Sequence, residues 1–326
     1  MIETSEITLR RAVTDLPQAD DFERVTRELP DVPNAGQLLV RVLYIGLDPY
    51  VSQVIRGKHM GEETPRPGGS LPGEAVAQVI ASADPAFEAG DHVVGVTGWA
   101  EQAIVEASAM RKVDPALGIA EHLGLLGLPG LTAWAGMTQL ATVKPGDIVT
   151  IDGAAGSVGG TAGQIARLLG AKAVGIAGGP DKCAQAIEAY GFDDCIDYHR
   201  DGWEDRLPQD IAVHFENVGQ KGIDAVLPRL RHYGEIVLCG LAQHYADGSQ
   251  CLIPAGRLMG RRGTVHGLIV YDFFDRRDAF IDFARPYVIS GALREVRDTA
   301  EGLDAAGSQL ARVARGEAMG RAVVRV

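Results

Sequence analysis

The chain has 326 residues, 46% of them hydrophobic, enough to build sizeable cores in two domains of ordinary size. Its 43 acidic and 31 basic side chains give a formal charge of −12, which disfavours nucleic acid or an anionic membrane as partner while leaving room for a local positive pocket. No window approaches about 20 consecutive apolar residues, and the opening MIETSEITLRRAV has no basic stretch followed by an apolar one, so neither a membrane span nor a signal peptide is expected. The four cysteines, Cys183, Cys195, Cys239 and Cys251, match no zinc-knuckle spacing, and a cytoplasmic chain with reduced thiols is expected.

In chain order, residues 1–120 read as β-rich. Residues 37–45 (QLLVRVLYI) carry enough β-branched and aromatic side chains for a strand, residues 74–80 and 92–96 give two more, and Val105 ends another. Gly, Pro and charged residues make 56–73 a loop. Strands this short suggest a small, partly open barrel. The character changes near Ala120. Residues 120–127 and 131–140 read as helices separated by Pro129-Gly130. Strand and helix patterns then alternate through 148–151, 158–169, 173–177, 182–189, 195–196, 211–215, 221–230 and 235–238. Short strands apolar on both faces predict a parallel sheet covered by helices. Further on, 261–270 is expected as a strand, 275–286 as a helix stopped by Pro286, and 301–315 as a helix. Residues 321–326 read as a strand that needs a partner sheet in one of the two domains.

The strand at 148–151 runs into Asp152-Gly-Ala-Ala-Gly-Ser-Val-Gly-Gly160 and then an apolar-periodic helix. Gly153, Ala154, Gly156, Ser157, Val158 and Gly159 form a loop in which Gly156 permits a tight turn and Gly159 a close helix–sheet approach. The amides at the helix start can hold a pyrophosphate. A bare glycine pattern is weak evidence; here it lies between a strand and a helix, with a second strand following, and it points to a dinucleotide. The competing reading is a tight turn with no ligand. An NAD site places Asp or Glu at the end of the second strand. This chain has Gly175-Ile-Ala-Gly178-Gly179 there, with no acid, followed by Lys182 and, at the next strand end, Tyr198. Both can meet a 2′-phosphate, so NADPH is the expected cofactor.

Other chemistries find little support. No cysteine precedes Cys183, which excludes a Cys-containing zinc site in the first domain, and His59 and His92 lack a third ligand. No metal is expected. There is no Gly-x-Ser-x-Gly elbow, and no Gly-Lys-Ser/Thr follows the glycine loop, so acyl transfer and nucleotide hydrolysis are disfavoured.

An ordered set of segments runs through most of the chain: Leu43-Tyr-Ile-Gly-Leu-Asp-Pro-Tyr50, Gly153-Ala-Ala-Gly-Ser-Val-Gly159, Gly175-Ile-Ala-Gly-Gly-Pro-Asp-Lys182 and Ile196-Asp-Tyr198. It continues with His214-Phe-Glu-Asn-Val-Gly219, Cys239-Gly240 and Gly267-Leu-Ile-Val270. In this set the chain resembles the zinc-independent branch of the medium-chain dehydrogenase/reductase superfamily. It is most similar there to the leukotriene dehydrogenase/prostaglandin reductase group, which includes bacterial curcumin-reductase-like enzymes. The resemblance implies an α/β chain with a GroES-like catalytic domain (1–120), a Rossmann NADPH-binding domain (121–295) and a segment (296–326) returning to the catalytic domain. It also implies homodimers, and hydride transfer from NADPH to the β-carbon of an α,β-unsaturated ketone or aldehyde. Lys182 and Tyr198 match residues that hold the 2′-phosphate, Asn217 lies in a cofactor-contact motif near the nicotinamide half, and Cys239 and Gly240 fall in a further cofactor segment.

Three departures qualify the resemblance. Where zinc-dependent relatives carry a Cys and a Gly-His-Glu, this chain has Asp48 and Pro72-Gly73-Glu74, so both ligands are missing. The family's usual Asn in Gly-x-Asn-x-Gly is Ala318, and its Gly-x-Ile-Ser-x-Tyr reads Gly240-Leu-Ala-Gln-His-Tyr245. Without zinc, the enolate that develops on hydride addition needs a hydrogen-bond donor. Tyr50 is the first candidate and Tyr245 the second. A phenol is a poor acid at neutral pH, so water can deliver the proton. An NADPH-dependent quinone reductase and an NADPH-binding protein without turnover are the alternatives.

Overall fold

Strands whose inward apolar residues alternate with polar ones dominate the first 123 residues, and the computed structural model, which describes residues 1–59 and 63–326, pairs them antiparallel. They are β1 (Ile2–Leu9), β2 (Phe22–Leu29), β3 (Gln37–Gly46), β4 (Glu74–Ser82), β5 (His92–Val96), β6 (Trp99–Ala100), β7 (Gln102–Glu106) and β8 (Arg111–Lys112). β1 joins β2 and β6 in one sheet, and β3, β4, β5 and β8 follow one another in a second, with β7 also on β3. Helix α1 (Pro49–Ile55) follows β3, with Pro49 in its first turn, where the missing amide costs nothing. Leu38, Val40, Ile45, Leu47 and Val51 pack with Trp99, whose ring stacks on Phe22 at 5.5 Å. Residues 60–62 of the expected 56–73 loop lie outside the described residues.

The alternating region gives helix α2 (Leu128–Ala135), then β9 (Ile148–Asp152), α3 (Ser157–Leu168), β10 (Lys172–Ala177), α4 (Pro180–Glu188), β11 (Asp194–Asp197), β12 (Ile211–Glu216), α5 (Gln220–Val226) and β13 (Leu230–Leu238). After these come α6 (Ala242–Asp247), α7 (Ala255–Arg261), β14 (Thr264–Gly267) and α8 (Arg277–Ile289). The six strands are parallel in the order β11-β10-β9-β12-β13-β14, the doubly wound Rossmann order. The chain then makes β15 (Arg297–Glu301), α9 (Ala306–Ala314) and β16 (Arg321–Arg325). β16 lies between β15, parallel to it, and β3, antiparallel. Two compact units result, residues 1–123 with 297–326 and residues 124–296.

Several expected boundaries are corrected. Residues 120–127 hold only a tight turn, Ala120–Leu123. Pro129 and Gly130 do not separate a pair of helices: they lie in the first turn of α2, which then widens into a π turn over Gly136–Leu140. The expected strand at 261–270 is the end of α7, β14 and the start of a helical turn, because Arg262 at φ 53° and Gly263 end α7 before the extended chain begins. Pro286 does not stop α8, which continues to Ile289. The bond it forgoes belongs to the carbonyl of exposed Asp282, which water can reach. β13 starts at Leu230, earlier than its apolar run, through a register shift against β12 near Tyr233, at φ 63°. Residues 297–301 are a strand, and the helix expected from 301 begins only at Ala306.

Candidate active site

β9 and β12 are neighbours at the centre of the parallel sheet, and the winding reverses between them, which is where such sheets bind ligands. The glycine loop leaves β9 there. Gly153 has φ 63°, and a Cβ on Gly159 would sit 2.3 Å from the Gly153 carbonyl oxygen, so the helix can come this close to the loop only with glycine at 159. α3 begins at Ser157 with no side chain capping it. First-turn amides have no partner within their own helix, and the buried Ser157 Oγ has no hydrogen-bond partner among the described residues. This is an anion cradle with an unused hydroxyl in it, and a pyrophosphate fits it. Ala154 is buried and Val158 half-buried in the same turn. Gln185 of α4 donates to the Ala155 carbonyl at 2.9 Å and braces the loop from the side.

At the end of β10, Gly178 lies against Tyr198: a Cβ on Gly178 would come 2.7 Å from the phenol oxygen. Lys182 is half-buried in the first turn of α4, just beyond. Burial, and then the charges of Asp152 and Asp197, hold the Tyr198 phenol above its ordinary pKa, so it is a hydrogen-bond donor at neutral pH. The second strand ends without an acid, but the neighbouring strand supplies one. Asp197 of β11 accepts from the Gly179 amide at 2.8 Å and the His199 amide at 3.0 Å. Those bonds lower its pKa and occupy Oδ1 with the backbone.

Across the switch point, Asn217 follows β12, and its side-chain amide donates to the Asp152 carbonyl at 2.8 Å. A Cβ on Gly240 would lie 3.2 Å from the Asn217 carbonyl oxygen. The amides of Cys239 and Gly240 both donate to the Glu216 carbonyl, at 3.0 and 3.1 Å. Burial, then the Glu216 charge, pushes the Cys239 thiol up to about 12, which leaves it neutral and unreactive. Gly153 to Gly159, Gly178, Lys182, Tyr198, Asn217, Cys239 and Gly240 therefore gather along the carboxyl ends of four adjoining strands, β11, β10, β9 and β12, and of β13 beside them.

Sequence reasoning passed over the side chains beneath these turns. Asp152, His214 and Glu216 are buried with their ligating atoms within 4.8 Å of one another. Their visible signal was polar residues inside otherwise apolar strands. His244 of α6, which accepts from the Gln220 amide at 3.1 Å, was also missed.

The two tyrosines belong to different units. Tyr50 is in the first turn of α1, its ring 5.6 Å from that of His59. Asp48, immediately before α1, pairs with Arg321 of β16, which is 2% exposed and also reaches the Leu47 carbonyl. Asp48, near which the family resemblance puts the Cys of zinc-dependent relatives, thus serves an ion pair. Ala318 packs against the same unit's core. Tyr245 is on α6, and burial raises its phenol's pKa.

Two family models match the chain, an N-terminal domain of oxidoreductase over residues 5–113 and a zinc-binding dehydrogenase over residues 157–285. The chain is 31% identical to 2-alkenal reductase (NADP(+)-dependent) of Nicotiana tabacum, over 100% of this chain and 98% of that protein. It is 33% identical to NADPH-dependent curcumin reductase of Escherichia coli (strain K12), over 95% and 93%. The crystal structure of CurA in complex with NADPH from Vibrio vulnificus superposes with a TM-score of 0.90 at 30% identity, covering 99% of each chain. With a GroES-like β-rich domain, a Rossmann domain and no cysteine or histidine at the usual zinc-ligand positions, the chain belongs to the zinc-independent medium-chain dehydrogenase/reductase superfamily, in the group of the curcumin and prostaglandin reductases.

Proposed function

We propose that this protein uses NADPH to reduce the carbon–carbon double bond of α,β-unsaturated ketones or aldehydes. The observation that carries the reading is the cradle at the carboxyl ends of β9 and β12, with its unused Ser157 hydroxyl and the Gly178–Tyr198 contact, in a chain of this family. When bound, NADPH supplies the hydride for the β-carbon. The first-turn amides of α3 and Ser157 hold the pyrophosphate, and Lys182 and Tyr198 hold the 2′-phosphate. Asn217, Cys239 and Gly240 line the nicotinamide half. Tyr50 and Tyr245 are the donors assigned to the substrate carbonyl. A phenol, protonated at neutral pH, stabilises developing negative charge by donating a hydrogen bond, and water brings the proton to the α-carbon.

Oxidation of NADPH, followed by its absorbance, is expected with simple enones and enals; turnover with quinones alone, or tight NADPH binding with neither, would overturn the reading. Tyr50→Phe and Tyr245→Phe each test one donor. The true carbonyl donor is expected to lower kcat by about tenfold to hundredfold with little change in NADPH affinity. If neither substitution moves kcat, both assignments fail. We also propose a homodimer. β14 ends the parallel sheet with one edge uncovered by any other strand among the described residues, and Met259, Ile269 and Phe274 are exposed in neighbouring segments. Light scattering is expected to give twice the mass of the chain.

A further inference from the structure

The strand ends that carry the nucleotide loop also hold side chains that phosphate binding does not require. Thr150 and Asp152 lie on β9, and His214 and Glu216 on β12, all four buried. His214 Nδ1 lies 2.9 Å from Thr150 Oγ1, and its Nε2 lies 3.1 Å from Glu216 Oε2 and 3.8 Å from Asp152 Oδ2. A neutral imidazole has one donor and one acceptor. With the Thr150 hydroxyl donating to Nδ1, Nε2 donates to Glu216. Gly222 of α5 closes over the carboxyls: a Cβ there would come 2.0 Å from Asp152 Oδ2 and 2.5 Å from Glu216 Oε2. Asp152 Oδ2 finds no hydrogen-bond partner among the described residues. Two carboxylates packed together away from water do not both stay ionised, and one proton between them satisfies the orphaned oxygen.

We propose that Asp152 and Glu216 share one proton in the folded protein, and that this carboxyl–carboxylate pair, oriented by His214, is a positioning device for NADPH. Glu216 is the hub. Its Oε1 accepts from the amides of Val218 and Gly219, at 2.6 and 2.7 Å, and its carbonyl accepts from those of Cys239 and Gly240. Asp152 precedes Gly153, and its carbonyl holds Asn217. The pair therefore sets the spacing of three cofactor-binding turns, those at Gly153, Asn217 and Cys239. With both carboxyls ionised, repulsion would push the end of β9 from the end of β12.

Electrostatics agree with the geometry. Burial, then the neighbouring Glu216 charge, raises Asp152 well above its ordinary value. Burial acts the same way on Glu216, but the hydrogen bonds from His214 and from the Val218 and Gly219 amides outweigh it, so Glu216 lies below its ordinary value and keeps the negative charge. The other titratable groups facing the pair are Tyr198 beyond β11, Cys239 beyond β13 and Cys251, whose values are raised first by burial and then by the charge of Asp152 or Glu216, so all three are neutral at neutral pH. Lys221 and Asp224 of α5 are exposed. Because Asp152 is raised in the folded state, the stability it contributes is fully present below the ordinary carboxylate range. It is lost as pH rises through the raised value.

The inference rests on NADPH binding at this loop, but its first test needs no nucleotide. Infrared difference spectra of wild type against Asp152→Asn at neutral pH are expected to show a carboxylic acid C=O band in the wild type alone. Absence of that band overturns the shared proton. So does a stoichiometric divalent metal in the purified protein that is lost in Asp152→Asn, since an ion would then neutralise the pair. Positioning is tested by NADPH titration across pH. A carboxamide can donate where the proton lay, so Asp152→Asn is expected to bind NADPH within about threefold of wild type at neutral pH, whereas Asp152→Ala loses about tenfold. On raising the pH, wild type is expected to weaken by about tenfold and Asp152→Asn to stay level. Parallel pH profiles for those two overturn the positioning role, and they decide it alone should Asp152→Ala fail to fold. Wild type that binds no NADPH would sink the cofactor reading while leaving the infrared result to stand.

Discussion

Gly159→Ala is expected to eliminate measurable NADPH binding and to destabilise the protein by about 3 kcal/mol. The added methyl would sit 2.3 Å from the Gly153 carbonyl oxygen, 2.8 Å from its carbon and 3.1 Å from the Asp152 carbonyl oxygen. All three are backbone atoms, so no side-chain rotation relieves the contact. Either α3 moves off the sheet or the loop after β9 opens, and both displace the first-turn amides that face the pyrophosphate. Gly256→Ala is the matched control. Nothing lies within 4 Å of a Cβ at that position, in the first turn of α7, and there alanine is expected to change stability by less than about 1 kcal/mol with NADPH affinity unchanged. Thermal unfolding and fluorescence titration read both. Tight NADPH binding by Gly159→Ala would show that the cofactor does not sit on this loop.

Lys182→Ala is expected to cost about 2 kcal/mol of NADPH affinity, roughly thirtyfold in Kd, while NADH affinity changes by less than about threefold. The two nucleotides differ only in the 2′-phosphate, so the ratio isolates the charge that meets it. Lys182 enters α4 just after the Gly178–Gly179 turn, beside Tyr198. Asp197, the carboxylate bonded to that turn, has its Oδ1 taken by two backbone amides, so that oxygen is not free to grip a ribose hydroxyl. Raising the salt concentration should narrow the difference, because a half-exposed lysine is screened. Equal losses for NADPH and NADH would sink the phosphate assignment.

The parallel sheet was legible because its strands are short apolar runs at regular intervals, and the glycine loop because a turn this tight tolerates few other residues. His92–Val96 was placed to the residue. What sequence could not show was of two physical kinds. Helix starts and stops near proline depend on which carbonyl is left exposed, as at Asp282 and Pro286, and on whether proline falls in a first turn, as at Pro129. The other kind is contact across distant segments. Asp152 and Glu216 are far apart in order but adjoin because β9 and β12 do, and periodicity says nothing about which strands become neighbours. Asp48 likewise gave no hint of its partner, since Arg321 comes from the far end of the sequence.

That last pairing bears on how the protein is made. β16 carries Arg321 into the sheet of β3, so the unit that begins the chain is finished by residues synthesised after the whole of the Rossmann unit. On the ribosome, Asp48 waits without its cation and residues 44–46 of β3 without their partner strand while the 173 residues from Gly124 to Val296 emerge and fold. The Rossmann unit is therefore the one that can complete itself first, and damage to the C-terminal strand falls on the N-terminal domain.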